Sequence, residues 1–179
     1  MTKQDYIEFQ ARTTPLAYLI TFRTYGTWLH GDERGSVDRR YYNRVGEPKM
    51  AKSSGLVRHE QGLLKHPPIT LNPDQRQAVE AAITEVCTVR GYQLRAINVR
   101  TNHVHIVVNA ANKPEPVMRS FKSYATRKLR ETGLVAVEIE PWSRHGSTLY
   151  LWTEEEVESA IQYVLVGQDG ERYERPGKP

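Results

Sequence analysis

The segment RTNHVHIVV, residues 100–108, constrains the fold of this chain more than any other stretch. Its polar and apolar residues alternate as in a β-strand, so one face of the strand carries His103 and His105. The opposite face is apolar and needs a core to cover it: Val104, Ile106 and Val108. Two parallel imidazoles this close can share a metal ion through one nitrogen each. The alternative is a pair of half-exposed histidines that hydrogen-bond to neighbouring groups.

Helix caps and hydrophobic periods around this strand define the order of the other elements. A helix is predicted between the N-cap Asn72 and the C-terminal Gly91, and Thr153 with Glu156 predicts a capping box for the last helix. The predicted elements are a strand at 16–23, a helix at 72–91, a hairpin of strands at 94–99 and 103–108, a helix at 117–133, a strand at 148–152 and a helix at 153–167.

This order of elements predicts an α+β fold. Strand, helix, hairpin, helix and strand make up the ferredoxin-like, split βαβ antiparallel sheet with helices on one face. A long polar and basic insertion at 31–68 after the first strand, a C-terminal helix and a loose tail at 168–179 add to this plan. The length suits a single domain over residues 1–179. The second face of the sheet is then expected to be open to a ligand.

Composition narrows the partner and the compartment. The chain has 25 Lys and Arg against 21 Asp and Glu, which favours an anionic partner. The single cysteine, Cys87, excludes a disulfide framework and favours a reducing compartment. No apolar run reaches the roughly 18 residues that a membrane span needs, and the N-terminus lacks a signal-peptide core. We therefore expect a cytoplasmic protein with no membrane partner.

The predicted helix at 117–133 holds a second group of candidate residues. Tyr124 lies at the margin of the apolar stripe, where its hydroxyl can reach out of the core. No acidic residue occurs from 117 to 130, a bias typical of a helix that contacts phosphates. The basic side chains are Arg119, Lys122, Arg127, Lys128 and Arg130. The alternative is that Tyr124 is only a border residue of an amphipathic helix.

Together, the histidine pair, the tyrosine and the basic helix predict phosphodiester chemistry. A divalent metal on His103 and His105 would polarise a non-bridging phosphate oxygen. Tyr124 would attack the phosphorus and form a phosphotyrosine.

The stretches TNHVHIVV and SFKSYATRKL resemble the HUH single-strand endonucleases with one catalytic tyrosine, which include insertion-sequence transposases and REP-associated tyrosine transposases. The resemblance covers residues 16–167. It implies a metal-dependent single-stranded DNA endonuclease and strand transferase that binds Mg²⁺ or Mn²⁺ and cuts beside a hairpin. It also implies a 5′-phosphotyrosine intermediate, no nucleotide cofactor and a place near the nucleoid. The chain length is similar to the REP-associated branch, which favours a monomer over a dimer.

One position departs from the family pattern. The family often supplies a third metal ligand, Gln or Asn, one helical turn after the tyrosine, where this chain has Lys128. A protonated lysine has no lone pair for a metal. Either Lys128 neutralises the phosphate or the leaving oxygen and another residue completes the metal site, or the site binds metal poorly. His145 is the candidate third ligand, although a loop histidine that contacts DNA or solvent fits the sequence equally well.

Residues for DNA contact are predicted in the insertion, beside the histidines, on the basic helix and in the loop before the last strand. In the insertion, arginines flank Tyr41 and Tyr42, a mixture that suits phosphates and unpaired bases, or else a solvated loop. Trp28 either stacks on a base or closes the core. The predicted DNA contacts are Arg39, Arg40, Arg44, Asn102, Arg119, Lys122, Arg127 and Arg144.

Two other functions remain open from the sequence. The first is a non-catalytic protein that binds hairpin or single-stranded DNA and descends from such a transposase. The second is a metal hydrolase of a small phosphoester, in which His103, His105 and His145 activate a water without a covalent intermediate.

Overall fold

The computed structural model describes residues 14–32, 51–167, 173 and 176. The elements in these ranges are β1 (Ala17–Thr24), α1 (Ser54–Gly62), α2 (Pro73–Arg90), β2 (Gln93–Val99), β3 (His103–Asn109), α3 (Pro114–Glu131), β4 (Trp142–Leu151) and α4 (Glu154–Leu165). The predicted order of strands and helices is confirmed, and α1 is an additional helix inside the predicted insertion.

The four strands form one open antiparallel sheet in the order β2-β3-β1-β4. This is the ferredoxin-like arrangement, so the predicted α+β fold class is confirmed. Strand β1 lies between β3 and β4, and its register with β3 places Thr21 opposite His105 and Arg23 opposite His103. Side chains of β1 therefore border the histidine pair directly.

Helices α2 and α3 cover one face of the sheet and form the larger core. Phe22, Ile106 and Phe121 are fully buried there. Burial of each such side chain contributes about 1.5–3 kcal/mol relative to exposure. Helix α2 has the predicted boundaries because Asn72 and Gln75 form a capping box and Gly91 ends it in the left-handed conformation, at φ 67°.

The second face is only partly open, which corrects the expectation from the sequence. Helix α4 packs on this face, where Val157, Ala160 and Val164 meet Leu19 and Val107 in a second buried cluster. The apolar side of α4 needs a surface to cover it, and α2 and α3 already occupy the other face. The two histidines lie on this same face, where His105 is beside α4.

Strand β4 begins at Trp142, six residues before its predicted start. Arg144 and His145 therefore lie on a strand and not in a loop. Gly146 was predicted to lie in the loop before the last strand, but it pairs with Phe22 of β1. A Cβ added to Gly146 would lie 2.5 Å from the Thr21 carbonyl oxygen, so the glycine allows close packing.

Helix α3 begins at Pro114, three residues before its predicted start. Proline is compatible with the first helical turn because the backbone N–H groups there have no partner within the helix. Helix α1 begins after Ser53, whose side chain caps it, and none of its residues is buried.

Some predictions lie outside the described residues, namely Arg39, Arg40 and Arg44 and most of the 168–179 tail. Tyr173 belongs to that tail and is described. Its hydroxyl donates to the Glu156 carbonyl oxygen at 2.9 Å, so this residue packs against α4. Within the described ranges, no helix is both long and apolar enough to cross a bilayer.

Candidate active site

The histidine pair forms the centre of the candidate site. The ring centroids of His103 and His105 are 4.8 Å apart, with the rings nearly perpendicular. Nδ1 of His105 hydrogen-bonds to the Thr21 hydroxyl at 2.7 Å, and Nδ1 of His103 hydrogen-bonds to the Asn102 side-chain oxygen at 2.6 Å. These bonds fix the orientation of both rings. A metal ion would therefore use the Nε2 atoms.

The chemistry of these donors fits a divalent metal. Only a neutral imidazole has a lone pair for a metal. His105 is nearly buried, and burial, followed by the neighbouring His103, Arg23 and Arg100, lowers its pKa to about 3. His105 is therefore neutral near pH 7, with one nitrogen held by Thr21. Thr21 and Asn102 bond to the two rings in the way that outer partners orient metal-binding histidines in other proteins.

His145 does not join the pair. It is exposed on β4, and β1 lies between β4 and β3. Within the described ranges, no three His, Cys, Asp or Glu side chains come together as a metal-binding group. The prediction that His145 supplies the third ligand, and the hydrolase hypothesis that shares it, are not supported by this geometry.

Tyr124 lies on the wrong face of the sheet for the predicted role. Its ring packs partly buried against the core that α2 and α3 form, whereas the histidines project from the other face. Movement of helix α3 away from the core would cost about 2–5 kcal/mol of free energy for each large side chain removed, because Val117, Phe121 and Leu129 are fully buried. The prediction that Tyr124 lies opposite the histidines is therefore corrected. Lys128, on the same helix, is likewise not brought to the pair.

The tyrosine beside the histidines is Tyr163 of α4. Its ring centroid lies 5.4 Å from that of His105, in an edge-to-face arrangement. Burial raises the pKa of Tyr163, and this is partly offset by a backbone hydrogen bond from Tyr173 and by the charge of Arg23. This residue was not predicted from the sequence. The signal was present, because Ala160 and Val164 place Tyr163 at the margin of the buried side of α4.

Arg23 was also missed. It lies opposite His103 across the β1–β3 pair, and the central carbon of its guanidinium is 3.0 Å from the Trp28 ring centroid. Trp28 therefore has a defined contact that neither sequence-based alternative included. Asn102 lies in the same region, but as the partner of His103.

The basic helix lies apart from this site. Arg119 and Arg144 are exposed, and Arg127 forms an ion pair with Glu85 at 2.9 Å. The Lys122 ammonium donates to the carbonyl oxygens of Ser143 and His145 at 2.9 and 3.0 Å, and burial lowers its pKa to about 8. Lys122 thus ties α3 to β4. A groove of about 590 Å³ runs between these elements, with Lys122, Arg127, Arg130 and Arg144 in its wall.

The fold and the site together define the class of protein. It has an open ferredoxin-like sheet, an oriented histidine pair on one strand and a tyrosine in contact with that pair. The family model of IS200-like transposases matches residues 67–155, a segment that includes both histidines. This segment of the chain belongs to the IS200-like transposase family. No curated protein sequence matches the chain.

Two solved structures are similar in fold. A REP-associated tyrosine transposase bound to a REP hairpin shares 12% identity and a TM-score of 0.48, over 84% of this chain and 65% of that one. A candidate transposase from Deinococcus radiodurans R1 shares 13% identity and a TM-score of 0.46, over 84% of this chain and 88% of that one. This chain thus spans 65% of the length of the hairpin-bound relative.

Proposed function

We propose that this chain is a metal-dependent single-stranded DNA endonuclease and strand transferase whose nucleophile is Tyr163. The observation that carries the proposal is the contact between the Tyr163 ring and His105, at 5.4 Å between centroids. Membership of the IS200-like transposase family supports the reaction class. The parts of the site come from β1, β3 and α4 of one chain, so the proposed site does not need a second copy.

The proposed reaction transfers a phosphoryl group to the tyrosine. The Tyr163 phenolic oxygen attacks phosphorus, the bond from phosphorus to the 3′ oxygen breaks, and the 5′ phosphate stays on the protein. The phenol gives up its proton to solvent, and the leaving 3′ oxygen takes one up. One P–O ester bond forms as another breaks, so a free 3′-hydroxyl can reverse the step without a nucleotide cofactor.

In this proposal His103 and His105 would hold Mg²⁺ or Mn²⁺ through Nε2. The bound ion would supply Lewis-acid polarisation of the phosphate. Thr21 and Asn102 keep the imidazoles in the orientation that leaves those nitrogens for the metal. Tyr163 is fixed against His105 by the packing of α4, which brings the nucleophile to the same face as the metal ligands.

The proposed substrate is single-stranded DNA beside a hairpin, as the resemblance to the HUH enzymes implies. The excess of Lys and Arg over Asp and Glu agrees with a polyanionic substrate. Arg119 and Arg144 are proposed as contacts to the DNA backbone away from the histidines, since both side chains are exposed and cationic.

The test is a search for a covalent adduct. The purified chain is incubated with labelled hairpin oligonucleotides that carry randomised single-stranded flanks, with Mn²⁺ or EDTA, and resolved on a denaturing gel. We expect a slow-migrating band that EDTA prevents. Tyr163→Phe should lose the band by a factor of at least about 1,000, the scale of loss for an essential nucleophile. The matched control, Tyr124→Phe, should keep it.

Each other outcome has a distinct meaning. A band that persists in Tyr163→Phe removes that residue from the role. Salt-sensitive binding without an adduct from any oligonucleotide would contradict the proposal and identify a non-cutting DNA-binding protein. Hydrolysis of a small phosphoester without an adduct would favour the metal hydrolase.

A further inference from the structure

We propose that Arg23, held in place by Trp28, binds the non-bridging oxygens of the phosphate that Tyr163 attacks. The inference rests on the proposed function and adds a residue to its machinery that contacts the reacting group. Neither residue was assigned to the reaction from the sequence. Strand register, stacking on Trp28 and the charge of the guanidinium support this role.

The register of the sheet fixes the position of Arg23. Strand β1 pairs with β3 so that Arg23 faces His103, and Thr21, two residues earlier, faces His105. Residues two apart on a strand share a face, so Arg23 projects on the same side as Thr21, whose hydroxyl holds His105. The Arg23 carbonyl accepts a hydrogen bond from the Ser143 hydroxyl at 3.0 Å, which fixes the backbone at this point.

The contacts of His105 place Arg23 on the same side of the sheet as the proposed nucleophile. Thr21, two residues before Arg23, holds Nδ1 of His105, and the Tyr163 ring centroid lies 5.4 Å from that of His105. Because Arg23 and Thr21 share a face of β1, the Arg23 side chain projects towards the side from which Tyr163 would attack the phosphate.

Stacking on Trp28 leaves the N–H donors of Arg23 able to bind a phosphate. The guanidinium carbon lies 3.0 Å from the indole centroid, so the contact uses the face of the guanidinium. Its five N–H donors lie in the plane, pointing away from the ring normal, and the planar fork matches two phosphate oxygens. Stacking restricts the side chain before substrate arrives and reduces the entropy lost on binding.

A short turn after β1 brings Trp28 into contact with Arg23. The Thr27 hydroxyl donates to the Thr24 carbonyl oxygen at 3.0 Å, and Gly26 adopts a φ of 72°. A side chain at Gly26 would be strained and would also lie 3.1 Å from the Pro68 backbone. The Arg23–Trp28 stack is thus built by a constrained turn directly after β1.

The test compares variants in single-turnover adduct formation, with the oligonucleotide that the wild-type protein cuts. Arg23→Gln should slow the step about 100-fold or more, the usual loss for one donor to a developing oxyanion. Arg23→Lys should recover only part of the rate because it lacks the planar fork. Trp28→Leu should slow it less, and should add nothing in the Arg23→Gln background. Arg90→Gln, an exposed arginine at the end of α2, is the charge-matched control.

A second readout does not depend on cleavage. In a Tyr163→Phe background with EDTA, Arg23→Gln should weaken binding of the normal oligonucleotide about tenfold, as expected for one charge-assisted contact. With a methylphosphonate at the scissile linkage, which removes the phosphate charge, the proteins with and without the Arg23→Gln substitution should bind equally. Circular dichroism checks that each variant is folded.

The outcomes separate this inference from the proposed function. Unchanged cleavage and binding in Arg23→Gln, with a normal wild-type adduct, overturns the role of Arg23 and leaves Tyr163 in place. A loss on Arg23→Gln that is equally large with the methylphosphonate also overturns it, because the contact is then not to that phosphate. Absence of any wild-type adduct removes both proposals.

Discussion

The two faces of the sheet are built differently. The face under α2 and α3 is continuous and apolar, with Phe22, Ile106 and Phe121 fully buried. In the described part of the chain, α4 packs on the other face, and beside that contact the face carries His103 and His105. One face therefore stabilises the fold, and the other carries the candidate functional side chains. This difference also explains why a tyrosine on α3 cannot serve the histidines.

The largest effect on stability is expected on the α2 and α3 face. Phe121→Ala should lower the free energy of unfolding by about 3–5 kcal/mol, because a fully buried aromatic side chain leaves a cavity. Chemical denaturation would measure it. Val89→Ala, at an exposed position of α2, should stay within about 0.5 kcal/mol. Equal effects for both variants would contradict the assignment of this face as the stabilising core.

The next effect should appear on the histidine face, as a loss of metal affinity. Thr21→Val keeps the shape but removes the hydroxyl that hydrogen-bonds His105 Nδ1 at 2.7 Å. Loss of such an outer partner typically weakens metal binding about 10–100-fold. Calorimetric titration with Mn²⁺ measures this change. Thr84→Val, an exposed threonine on α2 that bonds only within its helix, is the matched control. Unchanged Mn²⁺ affinity in Thr21→Val would break the proposed metal role of the pair.

The smallest effect concerns the link between α3 and β4. Lys122→Met removes the ammonium that donates to the Ser143 and His145 carbonyls, at a cost of about 1 kcal/mol. The folded-state pKa of Lys122 is lowered to about 8 from an ordinary 10.5. Between these values the unfolded chain binds more protons, so the Lys122 contribution to unfolding free energy should rise with pH.

Denaturation at pH 8 and pH 10 checks this sign. The rise that belongs to Lys122 should be absent in Lys122→Met. Arg119→Met, at an exposed position of the same helix, should keep it. A wild-type curve with no larger rise than the Lys122→Met curve would show that the ammonium is not desolvated in the way described.

The sequence predicted most of the fold because its signals are local. The period of β3, the capping box at Asn72 and the stop at Gly91 each determine one element, and the order of elements then leaves few topologies. The start of β4 was predicted too late because a glycine such as Gly146 is compatible both with a turn and with a tightly packed strand. Only its neighbours, Thr21 and Met118, distinguish the two cases.

The position of Tyr124 was predicted wrongly for a different reason. Tyr124 and Tyr163 both lie at the margin of an amphipathic helix, and periodicity shows which side of a helix is buried but not which face of the sheet buries it. The face that each helix covers follows from how many helices one face of the sheet can hold. Once α2 and α3 fill one face, the last helix has only the histidine face left, and that assigns Tyr163 to the site. Arg23 depends on strand register, which the sequence alone did not provide.

The central claim is that the nucleophile comes from the histidine face. The most direct measurement is tryptic digestion of the wild-type adduct, followed by mass spectrometry of the peptide that carries the nucleotide. We predict a modified peptide over residues 145–172 with the phosphodiester on Tyr163, and an unmodified peptide over 123–127, which contains Tyr124. A nucleotide on the 123–127 peptide would contradict the account.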